Sequence, residues 1–225
     1  MEREKMKQIL EDAVREEELI SSEIPAIDLY VDQIISLVSE KLQSGSERYR
    51  DRQLTKTMIN NYSKDGLITP VKGKKYNKEQ IVQMLTVYTL KNTLSIGQIK
   101  RMLDGAYATE GFNGEALTEF YDRHLEIKKE NRAMTGEVMD SLMERNDLHP
   151  ENSEMDFMLT VSAMLSLSGF LRSAAQAMID EAYPAPEEPV EKEKKERTKK
   201  EKIKLPKEQK PPKERKKKED HTERA

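Results

Sequence analysis

Between Leu54 and Ile81 the chain reads LTKTMINNYSKDGLITPVKGKKYNKEQI, and that order of signals leaves few folds open. Leu54, Met58, Ile59 and Tyr62 recur at helical spacing, so they form one inward stripe on a short helix over Thr55–Lys64. The opposite face is polar. Lys56, Asn60 and Lys64 stand at i, i+4 and i+8, with Thr57 and Asn61 one residue round. Asp65-Gly66 then stops the helix, because glycine tolerates the left-handed conformation that most residues avoid. Pro70 blocks a return to helix, and Val71-Lys72-Gly73-Lys74-Lys75-Tyr76 predicts a tight β-hairpin crowned with lysines, a wing. Asn77 with Gln80 three residues on is a capping-box pattern opening the next helix.

The polar ridge carries two amides, a hydroxyl and two ammonium groups. That is the chemistry needed to read base edges and hold phosphates. The residues expected to contact bases are Lys56, Thr57, Asn60, Asn61 and Lys64, since an asparagine can pair bidentately with adenine. Those expected to grip the flanking backbone from the wing are Lys72, Lys74, Lys75 and Tyr76.

Ile59, Tyr62, Gly66-Leu67, Pro70, Lys74 and Tyr76, followed by a helix pair ending in LSIGQIKRML at Leu94–Leu103, resemble the winged helix-turn-helix head of MerR-type transcription regulators. IPAIDLYVDQ at Ile24–Gln33, taken with LTKTMINNY at Leu54–Tyr62, resembles the bacterial family catalogued as domain of unknown function 1836. The resemblance covers Ile24 to Leu103. It implies a MerR-like winged helix-turn-helix head with a small β-hairpin wing; periodicity and composition add long C-terminal helices and a disordered tail, so the whole is expected to be mostly α. It also implies a sequence-specific regulator that binds double-stranded DNA as a homodimer. The chain departs from MerR heads at Asn60 and Asn61, where they carry arginine and tyrosine, and at Lys74, where their wing has arginine. Lysine is a point charge without arginine's planar fork, which favours phosphate holding over bidentate guanine reading. Gln43–Gln53 is also longer than an ordinary helix-turn-helix turn.

Charge distribution fits this reading. The net charge of −3 hides a tail of +5 over Pro184–Ala225 and a remainder of −8. Within that acidic remainder Leu54–Ile81 holds six lysines against Asp65 and Glu79. A basic island on an acidic body is the footprint of a nucleic-acid face, because phosphate neutralisation dominates affinity.

The first helix is expected over residues 1–22, with Met6, Leu10, Val14 and Leu19 on one side, as an extension spanning 1–23. The DNA-binding domain is expected over 24–104. Its first helix is Asp28–Leu42, with Leu29, Ile34, Leu37, Val38 and Leu42 apolar. Arg48, Arg50 and Arg52 in the next loop read either as backbone contacts or as ordinary solvated residues. A core helix follows at Lys78–Asn92, and Ser95 with Gln98 caps another that ends at Gly105. After a boundary at 105–113, two long helices, Gly114–Asn146 and Glu154–Tyr183, make a dimerisation or effector region over 114–183. The second is apolar nearly all round from Phe157 to Leu171, so burial on more than one side is expected. The methionines of both helices read as core filling, with an effector cleft between the helices as the sharper alternative. Residues 184–225, rich in lysine, glutamate and proline, are expected to be disordered, chiefly as a solubilising tail and alternatively as a soft nucleic-acid contact.

With no cysteine in 225 residues, disulfides and thiolate metal sites are excluded, and a reducing cytoplasm is expected. The opening MEREKMKQILEDAVREEE is charged throughout and lacks the apolar core of a targeting peptide. Met158–Leu171 falls short of the roughly 20 residues needed to span a bilayer, so no membrane span is expected. His124, His149 and His221 lie far apart, and neither a phosphate-cradling glycine loop nor a nucleophile elbow is present. No enzyme, metal or cofactor is expected. The alternative is a helical protein–protein interaction module whose ridge and wing dock an acidic partner without binding DNA.

Overall fold

The structure, a computed structural model, describes residues 1–43, 53–71 and 73–186. Lys72, the arginines at 48, 50 and 52, the side chain of Leu42, His221 and the tail from 187 onward lie outside the described residues. Met1–Ala185 form one compact unit. It is mostly helical, in the order α1 (Arg3–Val14), a 3-10 turn (Ser21–Glu23), β1 (Leu29–Tyr30), α2 (Val31–Gln43), α3 (Lys56–Lys64), β2 (Lys75–Tyr76), α4 (Lys78–Leu90), α5 (Ile96–Tyr107), α6 (Gly114–Arg145) and α7 (Glu154–Ala182).

The helix α4 is the axis of the main core. Every residue from Gln80 to Tyr88 is buried, because α3, α5 and α6 all pack on it. The inward stripe of α3 meets it with Ile59, Tyr62 and Leu54, and α2 adds Ile34 and Val38. Both predicted capping boxes form: Asn77 accepts from the Gln80 amide at 2.9 Å, and Ser95 accepts from the Gln98 amide at 3.2 Å. The Gln80 side chain also donates to the carbonyls of Thr69 and Pro70 at 3.1 and 3.2 Å. Buried Gln83 accepts from the Thr69 amide at 2.8 Å and donates to the Tyr107 hydroxyl at 3.0 Å. Two glutamines on one helix thus fasten the loop that follows α3.

Four expectations need correction. The strand Lys75–Tyr76 does not fold back within 71–76; it pairs antiparallel with β1, Leu29 opposite Tyr76 and Tyr30 opposite Lys75. In place of the predicted local hairpin there is a two-stranded, long-range ribbon. Gly105 does not end its helix, which runs to Tyr107. Its missing side chain is instead filled by the Tyr183 ring, which would lie 2.3 Å from a built Cβ. The first helix ends at Val14, and the chain beyond it is extended. The reason is visible in Glu16 and Glu18, two residues apart in a segment without helix, which both reach the Lys128 ammonium of α6. Burial on more than one side fails for α7, where Thr160 is the only buried residue.

The long helices α6 and α7 are joined differently. Leu117, Tyr121 and Leu125 at the start of α6 complete the main core, so that core crosses the expected 105–113 boundary. Farther along, Met139 and Met143 form a separate cluster with Met6 of α1, flanked by Leu10, Leu148, Phe157 and Met164. Methionine fills such irregular junctions well.

Candidate nucleic-acid interface

The local sequence makes α3 a well-bounded helix. Thr55 accepts from the Met58 amide at 3.2 Å and satisfies one of the free donors at the N-terminus. At the other end Leu67 donates to the Tyr62 carbonyl at 2.9 Å, and Gly66 donates to the Ser63 carbonyl at 3.2 Å. Gly66 has φ +70°. This pair of bonds is a Schellman motif, and Leu67 and Tyr62, both buried, supply its apolar contact. The Lys100 ammonium lies 3.4 Å from the Gly66 carbonyl, where a cation suits the negative end of the helix.

With Ile59 and Tyr62 turned into the core, the outward face is fixed. Lys56, Thr57, Asn60, Asn61 and Lys64 are all exposed, so the five ridge residues lie on one free face. Among the described residues no carboxylate pairs with Lys56, Lys64 or Lys74, and the side chains of Asn60 and Asn61 make no hydrogen bond. Lys74 and Lys75 are exposed on the ribbon after α3. The Lys75 ammonium lies 5.0 Å from the Tyr30 ring centroid, a cation–π contact across the strand pair. Tyr76 does not share that surface: its ring is buried in the main core, so it supports the ribbon from beneath instead of reaching outward. Lys72 is the one site residue outside the described residues.

Two neighbours escaped sequence reasoning. Lys100, at the second turn of α5, sits beside the end of α3 and pairs with Asp104 at 3.3 Å. Lys91, after α4, sits 3.5 Å from the Met58 sulfur and 4.9 Å from the Tyr88 ring centroid. Their positions depend on how α4 and α5 fold back on α3, for which local spacing carries no signal. The one anomaly under the ridge is the Tyr62 hydroxyl, which is buried without a partner. Burial alone pushes its phenol up to about 12, so it stays neutral.

Elsewhere a cleft of about 610 Å³ runs between α1 and α6, floored by Leu10, Val14, Ala133 and Gly136. It lies between α1 and α6, away from the α6–α7 cleft anticipated for an effector. Among the described residues no group of three or more His, Cys, Asp or Glu could hold a metal ion.

Residues 19–124 match the model of the family described as Domain of unknown function (DUF1836). No match was found among curated proteins or among solved structures. The buried residues of the main core run from Leu19 to Leu125, so the family segment and the core have nearly the same ends. The unit that carries the ridge therefore includes the first turns of α6.

Proposed function

We propose that this DUF1836 segment is a MerR-like winged helix-turn-helix head that binds double-stranded DNA, and that the chain is a sequence-specific transcription regulator acting as a dimer in the cytoplasm. The observation that carries the reading is the exposed face of α3: two adjacent asparagines between two lysines, on a helix whose other side is buried and whose ends are both capped. A helix held this firmly can present its side chains to a major groove without losing order on binding. Lys74 and Lys75 flank it as phosphate contacts, and Tyr30 takes the aromatic place on the ribbon surface first assigned to Tyr76. Lys56, Thr57, Asn60, Asn61 and Lys64 are the proposed base-contacting set.

Selection of bound fragments from a random DNA pool by the purified chain tests this reading. The expected result is an enriched sequence with two half-sites, since a dimer reads a symmetric operator. Asn60→Ala or Asn61→Ala should relax the preference by about 1–3 kcal/mol at one position, while Lys74→Ala should weaken all sequences alike. Recovery of an unenriched pool would overturn the sequence-specific reading. The second reading, an interaction module without DNA binding, has the same exposed ridge and the ribbon lysines dock an acidic partner; retention of no DNA at low salt would favour it.

A further inference from the structure

The helices α1 and α6 run antiparallel, and they are fastened at both ends of their shared length. At one end Met6 packs on Met139 and Met143, and Asp140 takes Arg3 at 2.9 Å and Lys7 at 3.4 Å. At the other, just past the end of α1, Glu16 reaches Lys128 at 2.8 Å. The cleft of about 610 Å³ lies between these fastenings. This order brings Leu10 level with Gly136, and Arg15 level with Lys129 and Arg132. Ala133 and Gly136 are the reason the space stays open. A Cβ built on Gly136 meets nothing within 4 Å, so no side chain of α6 rises there to fill the room beside Leu10 and Val14, both half-buried. Glycine inside a helix lowers its stability relative to alanine, and here that loss comes with an open floor.

Charge is sorted along the cleft. At the Met6 end Asp140 is already paired twice, whereas Arg15, Lys129 and Arg132 stand together at the other end. Among the described residues no carboxylate pairs with Lys129. Arg15 pairs with exposed Asp12 at 3.2 Å, and Arg132 reaches Glu18 at 3.4 Å, a carboxylate that Lys128 already holds. Glu11 and Glu137 also line the cleft, and both are exposed to water. An apolar floor with a few convergent charges, in a volume within about 300–1,000 Å³, is the form of a small-molecule site. A helix from another protein, about 10–12 Å across with its side chains, needs a groove open at both ends, and this one closes at Met6. No lining residue falls within the family segment 19–124, so the cleft belongs to what this chain adds around that segment.

We propose that the cleft binds a medium-chain alkyl carboxylate, its head held by Lys129, Arg132 and Arg15 and its chain laid along Leu10, Val14, Ala133 and Gly136. From Lys129 to Gly136 the helix rises roughly 10 Å at about 1.5 Å per residue, which gives room for the chain of octanoate or decanoate. The floor supplies affinity and the cations supply direction. An alkylammonium of the same length meets three like charges in that orientation, and in the reverse one it buries its head beside Met6 and Met139. The bound chain fills the gap between α1 and α6, so ligand binding and the docking of α1 stabilise each other.

Calorimetric titration of the full-length chain with acetate, octanoate, decanoate and decylamine, each below its micelle concentration, tests the assignment. Octanoate and decanoate should bind saturably at one per chain, with affinity rising about fourfold for each methylene buried, and acetate should not bind. Gly136→Leu places a side chain in the open floor and should abolish decanoate binding. Lys129→Glu, a surface change at a residue outside the ion pairs that hold α1, should weaken decanoate at least fivefold and keeps the test valid even if the first variant misfolds. Undiminished decanoate binding in either folded variant, decylamine binding as tight as decanoate, or uptake of many ligands per chain by the exposed apolar side chains of α7 would each overturn the proposal. No readout involves DNA, so the result stands apart from the DNA-binding reading.

Discussion

The helices α4 and α7 treat apolar residues in opposite ways. In α4, nine of 13 residues are buried, two glutamines among them. In α7, which is longer and richer in apolar side chains, 29 residues include a single buried one. The head around α4 has enough neighbours to close a core by itself and even to satisfy Gln80 and Gln83 inside it. The arm made by α6 and α7 leaves much of its apolar surface exposed. The head spends its free surface on polar groups at α3, and the arm spends it on methionine, leucine and phenylalanine. One surface is polar and basic, the other apolar.

The sharpest way to break this contrast is to empty a core position in each region. Ile59→Ala, at a site with no exposure, should lower unfolding stability by about 2–5 kcal/mol at every protein concentration. Leu171→Ala should change the monomer by no more than about 0.5 kcal/mol, and its effect should appear only where the protein assembles. Denaturant melts at two concentrations separate these outcomes. Equal, concentration-independent losses would show the arm to be as complete as the head.

A smaller effect is expected at Gly66. Its φ of +70° and the Lys100 ammonium 3.2 Å from a built Cβ make Gly66→Ala strained, by about 1 kcal/mol or somewhat more. Because the α3 ridge rests on this cap, thermal melting and DNA affinity should fall together. Tyr62→Phe sharpens the comparison from the other side. It removes a buried hydroxyl with no partner, so stability should hold or rise by up to about 1 kcal/mol.

The smallest effect belongs to His124 in the arm. Burial, with the Lys128 charge second, holds its imidazole below the ordinary 6.5. A folded-state value below the unfolded one gives stability that is complete above 6.5 and drains as pH falls toward the folded value. Stability measured from pH 7.5 to 5 should therefore fall in the wild type beyond any carboxylate effect, and His124→Gln should flatten that part of the profile. An unchanged slope in the variant would assign the pH dependence elsewhere.

What the sequence made legible was local. The stripe Leu54–Ile59–Tyr62, the stop at Gly66, and the boxes at Asn77–Gln80 and Ser95–Gln98 each depend on residues within one or two turns, and each forms. The ribbon was misread because two-residue strands carry almost no periodicity, and Tyr76 finds its partner Leu29 some way back in the chain. Gly105 looked like a terminus because its glycine was read as conformational, when it is a contact point for Tyr183. Lys91, Lys100 and Tyr30 joined the candidate surface only through packing. The exposure of α7 was hidden for a similar reason, since an apolar helix reads the same whether its partner lies in its own chain or in another.

The central claim is that the face of α3, together with the exposed Lys74 and Lys75, binds duplex DNA. Anisotropy of a labelled random-sequence duplex, titrated with the full chain at several salt concentrations, tests it most directly. The account predicts binding at low salt that weakens linearly in log affinity against log salt, with a shallower slope for Lys74→Ala, since each lost phosphate contact removes about one released counterion. A flat anisotropy trace at the lowest salt, from protein whose helical content is intact, would contradict it.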